Sequence, residues 1–233
     1  MVSLHFIGTI HSDPHGISHL RRALELESPD ILSTECSQNV LVYLQSSEYK
    51  NLRFNILKKM KRHGASPFLL NITRKKFFTF DNFEIFVPQE YASCKGIPLY
   101  FVDDPMQVEY IRKSFEEQYN DINKRSVKYR NAFFPQNFRN YDPYIEIRKL
   151  FFRGILQEEE QLVYESLGHL KGLSGRREEI LAENLRKVCL VKEEEKIVHV
   201  CGVGHLFRDP KHKETLFSKL EEFHPTRKLL CDY

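Results

Sequence analysis

Short apolar runs, each closed by a polar residue or a glycine, alternate along this chain with amphipathic stretches. The first run extends from Leu4 to His11, and a similar run extends from Ile197 to Cys201. Two more cover Asp30 to Glu35 and Pro98 to Asp103, and Leu229–Cys231 is a further short apolar segment. Runs this short are typical of strands buried on both faces of a parallel sheet. The sequence therefore predicts four such strands, with Leu229–Cys231 as an edge strand.

Between these runs, apolar residues recur at helical spacing, and helix breakers mark the ends. Ser28–Pro29 stops the first helix, and Gly96 ends a short helix whose first residue is Pro88. The first predicted helix carries Ile17, Leu20 and Leu24, and the last carries Leu216 and Leu220. Between them the sequence predicts helices over 38–62, 88–96, 108–122, 147–163 and 176–191. This order predicts an α/β fold with a central, mostly parallel β-sheet flanked by helices.

Two helical and aromatic segments interrupt this pattern. The sequence of residues 65–87 is compatible with a helix and with a hairpin, and residues 130–144 are predicted to form a loop or a change of direction. A chain of 233 residues fits one large domain. We therefore expect a single domain over 1–233, in which segments around 38–87 and 107–170 form a cap at the carboxyl edge of the sheet.

Composition excludes several classes of protein. The hydrophobic share of 41% is that of an ordinary soluble protein, and no apolar stretch is long enough to span a membrane. The first strand begins too early to leave room for a secretory signal. Net charge is only +3, so the basic clusters Lys58–Arg62 and Arg74–Lys76 are expected on solvated surfaces rather than on nucleic acid. The five scattered cysteines, without a C-x-x-C pair, favour a reducing cytoplasm.

Polar residues follow the predicted strands at the points where the strands end. His11, Glu35, Asp103 and His205 each stand at or just beyond the carboxyl end of a strand. Ligands of open parallel sheets bind outside this edge. We therefore expect these four side chains to converge on one site.

Helices that lead into parallel strands start at the same edge of the sheet. The helix beginning at Pro88 is predicted to carry Glu90 in its first turn, and the helix before the fourth strand begins with Arg176 and Arg177. Sequence alone does not decide which of the two arginines faces the site. Glu90 and Arg177 thus join the set of candidate site residues.

This set suits a divalent metal ion. His11 and His205, with Glu35 or Asp103, are typical ligands of Zn, Mn, Co or Fe(II). Such an ion lowers the pKa of a bound water, and a remaining carboxylate, Glu35 or Glu90, would act as general base. Arg177 would stabilise an oxyanion or hold a substrate carboxylate.

Each of these residues also has a simpler explanation. The Gly-x-x-His pattern occurs at 8–11 and 202–205, but also at 16–19 inside a predicted helix, so it is weakly specific. An acidic residue at a strand end is commonly a helix cap or a turn residue. The role of Arg177 could be limited to an ion pair with Glu90 or Asp103.

An ordered series of short blocks resembles the TraB/PrgY/GumN/Tiki superfamily. The blocks are Phe6-Ile-Gly-Thr-Ile-His11-Ser, Pro29-Asp-Ile-Leu-Ser-Thr-Glu35, Gln89-Glu90-Tyr-Ala-Ser-Cys followed by Gly96-Ile-Pro-Leu-Tyr-Phe-Val-Asp103, Arg177-Glu178-x-x-Leu181, and Val200-Cys-Gly-Val-Gly-His205-Leu. Two positions depart from the family pattern, because Glu178 replaces an Asp or Asn and Leu181 replaces a Met. The membrane segments of many relatives, and the signal peptide of secreted ones, have no counterpart.

The resemblance implies an α/β fold with two Gly-x-x-His motifs facing one cleft. Some relatives are divalent-metal-dependent proteases, others are assigned to pheromone shutdown, and distant ones include erythromycin esterases and a haem-binding protein. It also implies His11, Glu35, Glu90, Arg177 and His205 as site residues, with Asp103 beside them.

Together these observations predict a cytoplasmic hydrolase that depends on a divalent metal ion (Mn, Co or Zn) and acts on peptide or amide bonds. Its partners would be a peptide or small-molecule substrate, with no membrane and no nucleic acid, and self-association into a homo-oligomer is left open. The alternative is a module that binds a peptide, pheromone or haem-like ligand in the same cleft without turnover.

Overall fold

The computed structural model describes residues 2–10, 13, 15–75, 77, 82–131, 174–192, 194–207 and 215–233. These residues belong to two compact units. The sheet unit comprises the described residues within 1–36, 82–104 and 174–233, and the helical unit those within 37–81 and 105–131. Three predicted features lie outside the described residues. They are the ligand His11, the loop over 130–144 except its first two residues, and the helix over 147–163.

The sheet unit contains all the strands described. Its elements are β1 (Ser3–Thr9), α1 (Gly16–Glu27), β2 (Ile31–Thr34), α5 (Phe83–Lys95), β3 (Leu99–Phe101), α7 (Ser174–Val191), β4 (Lys196–Gly202), a 3₁₀ helix (Val203–Leu206), α8 (Leu216–Lys219), a 3₁₀ helix (Glu221–Phe223), β5 (Thr226–Leu229) and a 3₁₀ helix (Leu230–Asp232). The helical unit contains α2 (Gln38–Gln45), α3 (Ser47–Arg62), α4 (Pro67–Lys75) and α6 (Gln107–Asn131).

The strands form one parallel sheet in the order β3-β2-β4-β1-β5. Thr9 at the end of β1 lies opposite Gly202 of β4, and Thr34 at the end of β2 lies opposite Val200 and Phe101. The carboxyl ends of the central strands therefore meet at one edge, as predicted. The predicted α/β class is confirmed.

Helices cover both faces of this sheet because successive side chains of a buried strand point to opposite sides. One face packs Leu4, Phe6, Ile31, Ile197 and Cys201 against Leu181, Leu185 and Leu216 of α7 and α8. The other packs Ile7, Leu32, Val198 and Val200 against Leu20, Leu24, Phe83 and Val87 of α1 and α5. The site described below lies where these layers reach the carboxyl edge.

The predicted helix beginning at Pro88 is wrong in its start, because α5 begins at Phe83 and carries Pro88 in its interior. Proline has no N–H to bond the carbonyl four residues earlier, which is that of Glu84. Thr34 Oγ1 donates to that carbonyl over 2.8 Å instead. This bond satisfies the carbonyl that Pro88 leaves free and ties α5 to the end of β2.

The long helix predicted over 38–62 is divided at Ser46. Ser46 has extended backbone angles, and its side chain accepts a hydrogen bond from the amide of Tyr49, so it caps α3. Serine is a favoured N-cap residue, and this preference outweighs the continuous apolar pattern.

The helical unit has its own small core, which Ile56, Met60 and Phe77 form with Phe115 packed against them. Buried Arg53 lies over the Tyr49 ring, with its guanidinium carbon 4.1 Å from the ring centroid. The expectation that segments around 38–87 and 107–170 cap the site stays a prediction. Over the described ranges, no helix is long and apolar enough to cross a membrane.

Candidate functional site

Five polar side chains from four parts of the sheet unit meet at its carboxyl edge. Glu35 directly follows β2, Asp103 comes two residues after β3, and His205 lies in the 3₁₀ helix after β4. Arg177 and Glu178 lie near the start of α7. The parallel strands and the antiparallel return of α7 explain why residues so distant in sequence come together here.

Arg177 links two of the carboxylates. Its Nε donates to Asp103 Oδ1 over 3.0 Å, and its Nη2 donates to Asp103 Oδ2 over 2.6 Å and also to Glu35 Oε1. Burial disfavours the charged guanidinium, but Glu35 and Asp103 more than compensate and raise the pKa of Arg177. Arg176 is exposed, so Arg177 is the arginine that faces the site.

His205 lies between Glu35 and a further carboxylate, that of Glu178. Its Nε2 is 3.0 Å from Glu35 Oε1, and its Nδ1 contacts Glu178 Oε1. Backbone amides hold both acids, because Gly202 N donates to Glu35 Oε2 over 2.8 Å and Leu216 N donates to Glu178 Oε2 over 2.6 Å. Burial opposes protonation of the imidazole, but the two carboxylates outweigh burial and raise the pKa of His205 to about 10.

The cluster concentrates charge where little water reaches it. The side chains of Glu35, Asp103 and Glu178 are 7%, 3% and 4% exposed. Three carboxyl groups face the two cations Arg177 and His205, and burial raises the pKa of Asp103. Burying so many charges rarely improves stability over an apolar core, so a cluster of this kind marks a candidate functional site.

His199 shows how strongly the surroundings decide the charge of a histidine in this region. It lies on β4, completely buried, with its Nδ1 2.9 Å from Ser33 Oγ. Burial lowers its pKa to about 3, so the ring is neutral. Its Nε2 has no hydrogen-bond partner within the part of the chain that the structure describes.

The structure does not bring Glu90 to this site. Because α5 begins at Phe83, Glu90 falls in the middle of the helix, where its exposed carboxylate pairs with Arg21 Nη2 over 2.7 Å. Asp103 is brought to the site, but its contacts are with Arg177 and, over 2.8 Å, with the amide of Asp104. The predicted role of Asp103 as a metal ligand stays a prediction.

Sequence reasoning missed Glu84, the buried acid that α5 carries in its first turn. Thr9 Oγ1 donates to Glu84 Oε1 over 3.2 Å and to the carbonyl of Cys201 over 3.1 Å, so Glu84 lies at the carboxyl end of β1. The spacing of Phe83, Val87 and Tyr91, which all pack in one core cluster, is helical and could have placed the helix start before Pro88.

Gly8 lies where the two Gly-x-x-His segments pack against each other. A Cβ at Gly8 would lie 2.8 Å from Leu206 Cδ1, so the strand β1 and the 3₁₀ helix carrying His205 approach each other closely here. A Cβ at Gly204, by contrast, would meet no atom within 4 Å. The glycine of the first motif therefore has a packing role.

Within the described ranges, no group of three or more His, Cys, Asp or Glu side chains is arranged so that it could hold a metal ion. Two of the predicted ligands do lie together, since His205 Nε2 and Glu35 Oε1 are 3.0 Å apart. That separation suits neighbouring ligands that each lie about 2.0–2.2 Å from one ion. The chemistry of this pair fits a divalent metal, with at least one further ligand needed.

Comparison with protein-family models, with curated proteins and with solved structures finds no match for this chain. The resemblance to the TraB/PrgY/GumN/Tiki superfamily therefore stays a prediction from the sequence blocks. What the site does is inferred from its own geometry.

Proposed function

We propose that this chain is a divalent-metal-dependent hydrolase of peptide or amide bonds, with its site at the carboxyl edge of the sheet. The observation that carries the proposal is the placement of His205, which has Glu35 at one ring nitrogen and Glu178 at the other. A histidine that binds a metal commonly presents one nitrogen to the ion and donates the other N–H to a carboxylate. His205 Nε2 would release its proton when the ion binds, so that Nε2 and Glu35 would be ligands, with His11 as the third.

The bound ion would supply a water of lowered pKa as nucleophile. For Arg177 we propose a role other than substrate binding, because Asp103 and Glu35 already engage its guanidinium. We propose that it holds Glu35 in place and offsets its charge. Glu84 replaces Glu90 as the candidate general base, since Glu84 is the α5 carboxylate at the carboxyl end of β1.

The first experiment measures bound metal and hydrolysis in the same preparation. The protein is purified without chelator, its metal content is determined, and cleavage of a peptide mixture is followed with Mn²⁺, Co²⁺ or Zn²⁺ added. We expect about one ion per chain and turnover that requires it, with both lost in His205→Ala and Glu35→Gln.

Glu90→Gln is the matched control for Glu35→Gln, because it removes the same kind of carboxylate from an exposed position. It should leave metal content and turnover unchanged. A wild-type protein that neither binds these ions nor hydrolyses any peptide contradicts the proposal. Metal or ligand binding without turnover would favour the alternative of a binding module.

We also propose that the protein works in a reducing compartment such as the cytoplasm. None of the five cysteines, all of which lie in the described ranges, forms a disulfide, and Cys36, Cys189 and Cys201 are buried. Free buried thiols are usual where glutathione keeps cysteines reduced. Thiol titration of protein unfolded immediately after cell lysis should find five free thiols.

A further inference from the structure

Glu178 contacts the nitrogen of His205 that does not face Glu35. Its Oε1 contacts His205 Nδ1, while His205 Nε2 is 3.0 Å from Glu35 Oε1. The Glu178 side chain is 4% exposed, so water hardly competes for this contact. A buried carboxylate beside Nδ1 sets how the ring is turned and, when Nε2 binds a metal ion, would keep the remaining proton on Nδ1.

We propose that Glu178 is the positioning residue of this site, which holds the His205 ring so that Nε2 faces Glu35 and a ligand there. The effect of Glu178 on metal affinity rests on the proposed function. Its effect on the orientation of the His205 ring can be measured whether or not the protein binds a metal. Glu178 touches neither substrate nor metal in this proposal and acts only through His205.

The carboxylate of Glu178 is itself held in place. Leu216 N donates to Glu178 Oε2 over 2.6 Å, and this amide is the first of α8, whose N-cap is Thr215. Thr215 Oγ1 in turn donates to the carbonyl of Phe207 over 2.6 Å. The Glu178 carboxylate is therefore anchored to backbone on one side while its other oxygen is presented to His205.

A purely structural role for Glu178 would be to cap α8, whose first amides have no partner within the helix. Glu178→Gln separates the two roles, because the amide side chain offers one acceptor oxygen where the carboxylate offers two. In one orientation of the amide Leu216 N loses its acceptor, and in both orientations His205 Nδ1 loses the charged carboxylate beside it. Glu179→Gln is the control, since Glu179 is the adjacent acid on α7 and its side chain is 63% exposed.

The experiment has two readouts at one fixed pH. The first is the affinity for Mn²⁺ alone, by titration calorimetry, which should fall by about 10–100-fold in Glu178→Gln and stay unchanged in Glu179→Gln. The second is the ¹H–¹⁵N spectrum of the histidine rings, in which the low-field Nδ1–H signal is assigned to His205 by its loss in His205→Asn. That signal should shift or disappear in Glu178→Gln only.

Unchanged Mn²⁺ affinity and an unchanged His205 signal in folded Glu178→Gln would overturn the positioning role and leave only the cap of α8. If the wild type binds no Mn²⁺, the proposed function fails, and the ring signal alone decides the role of Glu178. If Glu178→Gln does not fold, Glu178→Asp takes its place, because it keeps the charge and both acceptors but withdraws them from the ring. It should weaken Mn²⁺ binding and shift the His205 signal, and identity with the wild type in both would overturn the proposal.

Discussion

His199 and His205 lie in and just after the same strand, yet their imidazole rings have opposite pKa shifts. His199 packs edge-on against the Phe6 ring and contacts the Ser33 hydroxyl, and burial keeps it neutral. The His205 side chain is 12% exposed, but Glu35 and Glu178 contact its two nitrogens and keep it charged. Neighbours contributed by other parts of the chain decide this difference, so the pattern of the strand itself could not predict it.

Because His205 is charged in the folded protein, the free energy of unfolding is expected to fall at alkaline pH. Its pKa is about 10 in the folded protein and near 6.5 when unfolded, so its stabilising contribution is complete below pH 6.5 and is lost as the pH rises to about 10. Urea unfolding in EDTA should show a free energy of unfolding that falls across this range, and His205→Asn should flatten the fall. Equal slopes in the two proteins would contradict the predicted charge of His205.

Arg177 is expected to matter for stability because it neutralises two buried acids. Arg177→Met leaves Glu35 and Asp103 without their main cationic partner and should cost about 2–4 kcal/mol of unfolding free energy. Arg21→Met is the control, since the exposed Arg21–Glu90 pair should contribute at most about 0.5 kcal/mol. Denaturant titration of the two variants measures the difference, and equal losses would argue against the buried network.

The close packing between β1 and the 3₁₀ helix after β4 predicts how substitutions of two glycines change stability. Gly8→Ala brings a methyl group against Leu206 and should destabilise by about 1–3 kcal/mol. Gly204→Ala meets open space and should change stability by less than about 0.5 kcal/mol.

The double variant Gly8→Ala/Leu206→Ala tests whether this contact is the cause. Its loss of stability, from thermal unfolding, should be smaller than the sum of the two single losses, because the new methyl group occupies space that Leu206 leaves. Additive losses would show that Gly8 is required for another reason.

Where the structure differs from the sequence-based expectation, a tertiary contact outweighs a local rule. Pro88 ordinarily favours a helix start, but Thr34 of a distant strand supplies the hydrogen bond that makes Pro88 tolerable inside α5. Because α5 begins at Phe83, the acid in its first turn is the buried Glu84 and not the predicted Glu90. The partner hydroxyl comes from another part of the chain, so local sequence could not reveal it.

Four strands and the class of fold followed from apolar runs and their order, because burial on both faces leaves a clear pattern along the chain. The edge strand predicted over Leu229–Cys231 is wrong in its bounds, because β5 covers Thr226–Leu229 and Leu230–Asp232 form a 3₁₀ helix. Glu35, Asp103, Arg177 and His205 were likewise predicted to converge, since strand ends and helix starts share one edge of a parallel sheet. The pairing of those side chains was not predictable. It depends on distances of a few ångströms, and on Glu178, which sequence alone would place on any face of α7.

A network at the other edge of the sheet joins α1, β1, β4 and the last residue of the chain. Glu27 Oε2 accepts from Lys196 Nζ over 2.7 Å and its Oε1 accepts from Tyr233 over 2.9 Å, while His5 Nε2 is 2.6 Å from the Tyr233 hydroxyl. Burial disfavours the charge of Glu27, but the bonds from Lys196 and Tyr233 outweigh burial and lower its pKa to about 2.

This network should make the whole sheet unit sensitive to acid. Glu27 has its full stabilising effect above its unfolded pKa of about 4.5 and loses it as the pH falls toward 2, a contribution on the order of 1–2 kcal/mol. Unfolding followed between pH 6 and pH 2 should therefore show a smaller loss in Glu27→Gln than in the wild type. The same acid dependence in both proteins would contradict the assignment.

The position of β1 between β4 and β5 has a consequence for how the protein is made. Ser3 pairs with Lys196 and His5 pairs with Thr226, so β1 can pair with β4 and β5 only after those much later segments of the chain have been synthesised. Until then its apolar side chains have no sheet to join, and contacts of such long sequence separation form slowly. The centre of the sheet is thus completed only after β4 and β5 have been made, and until then β1 is an unpaired apolar strand that a chaperone could protect.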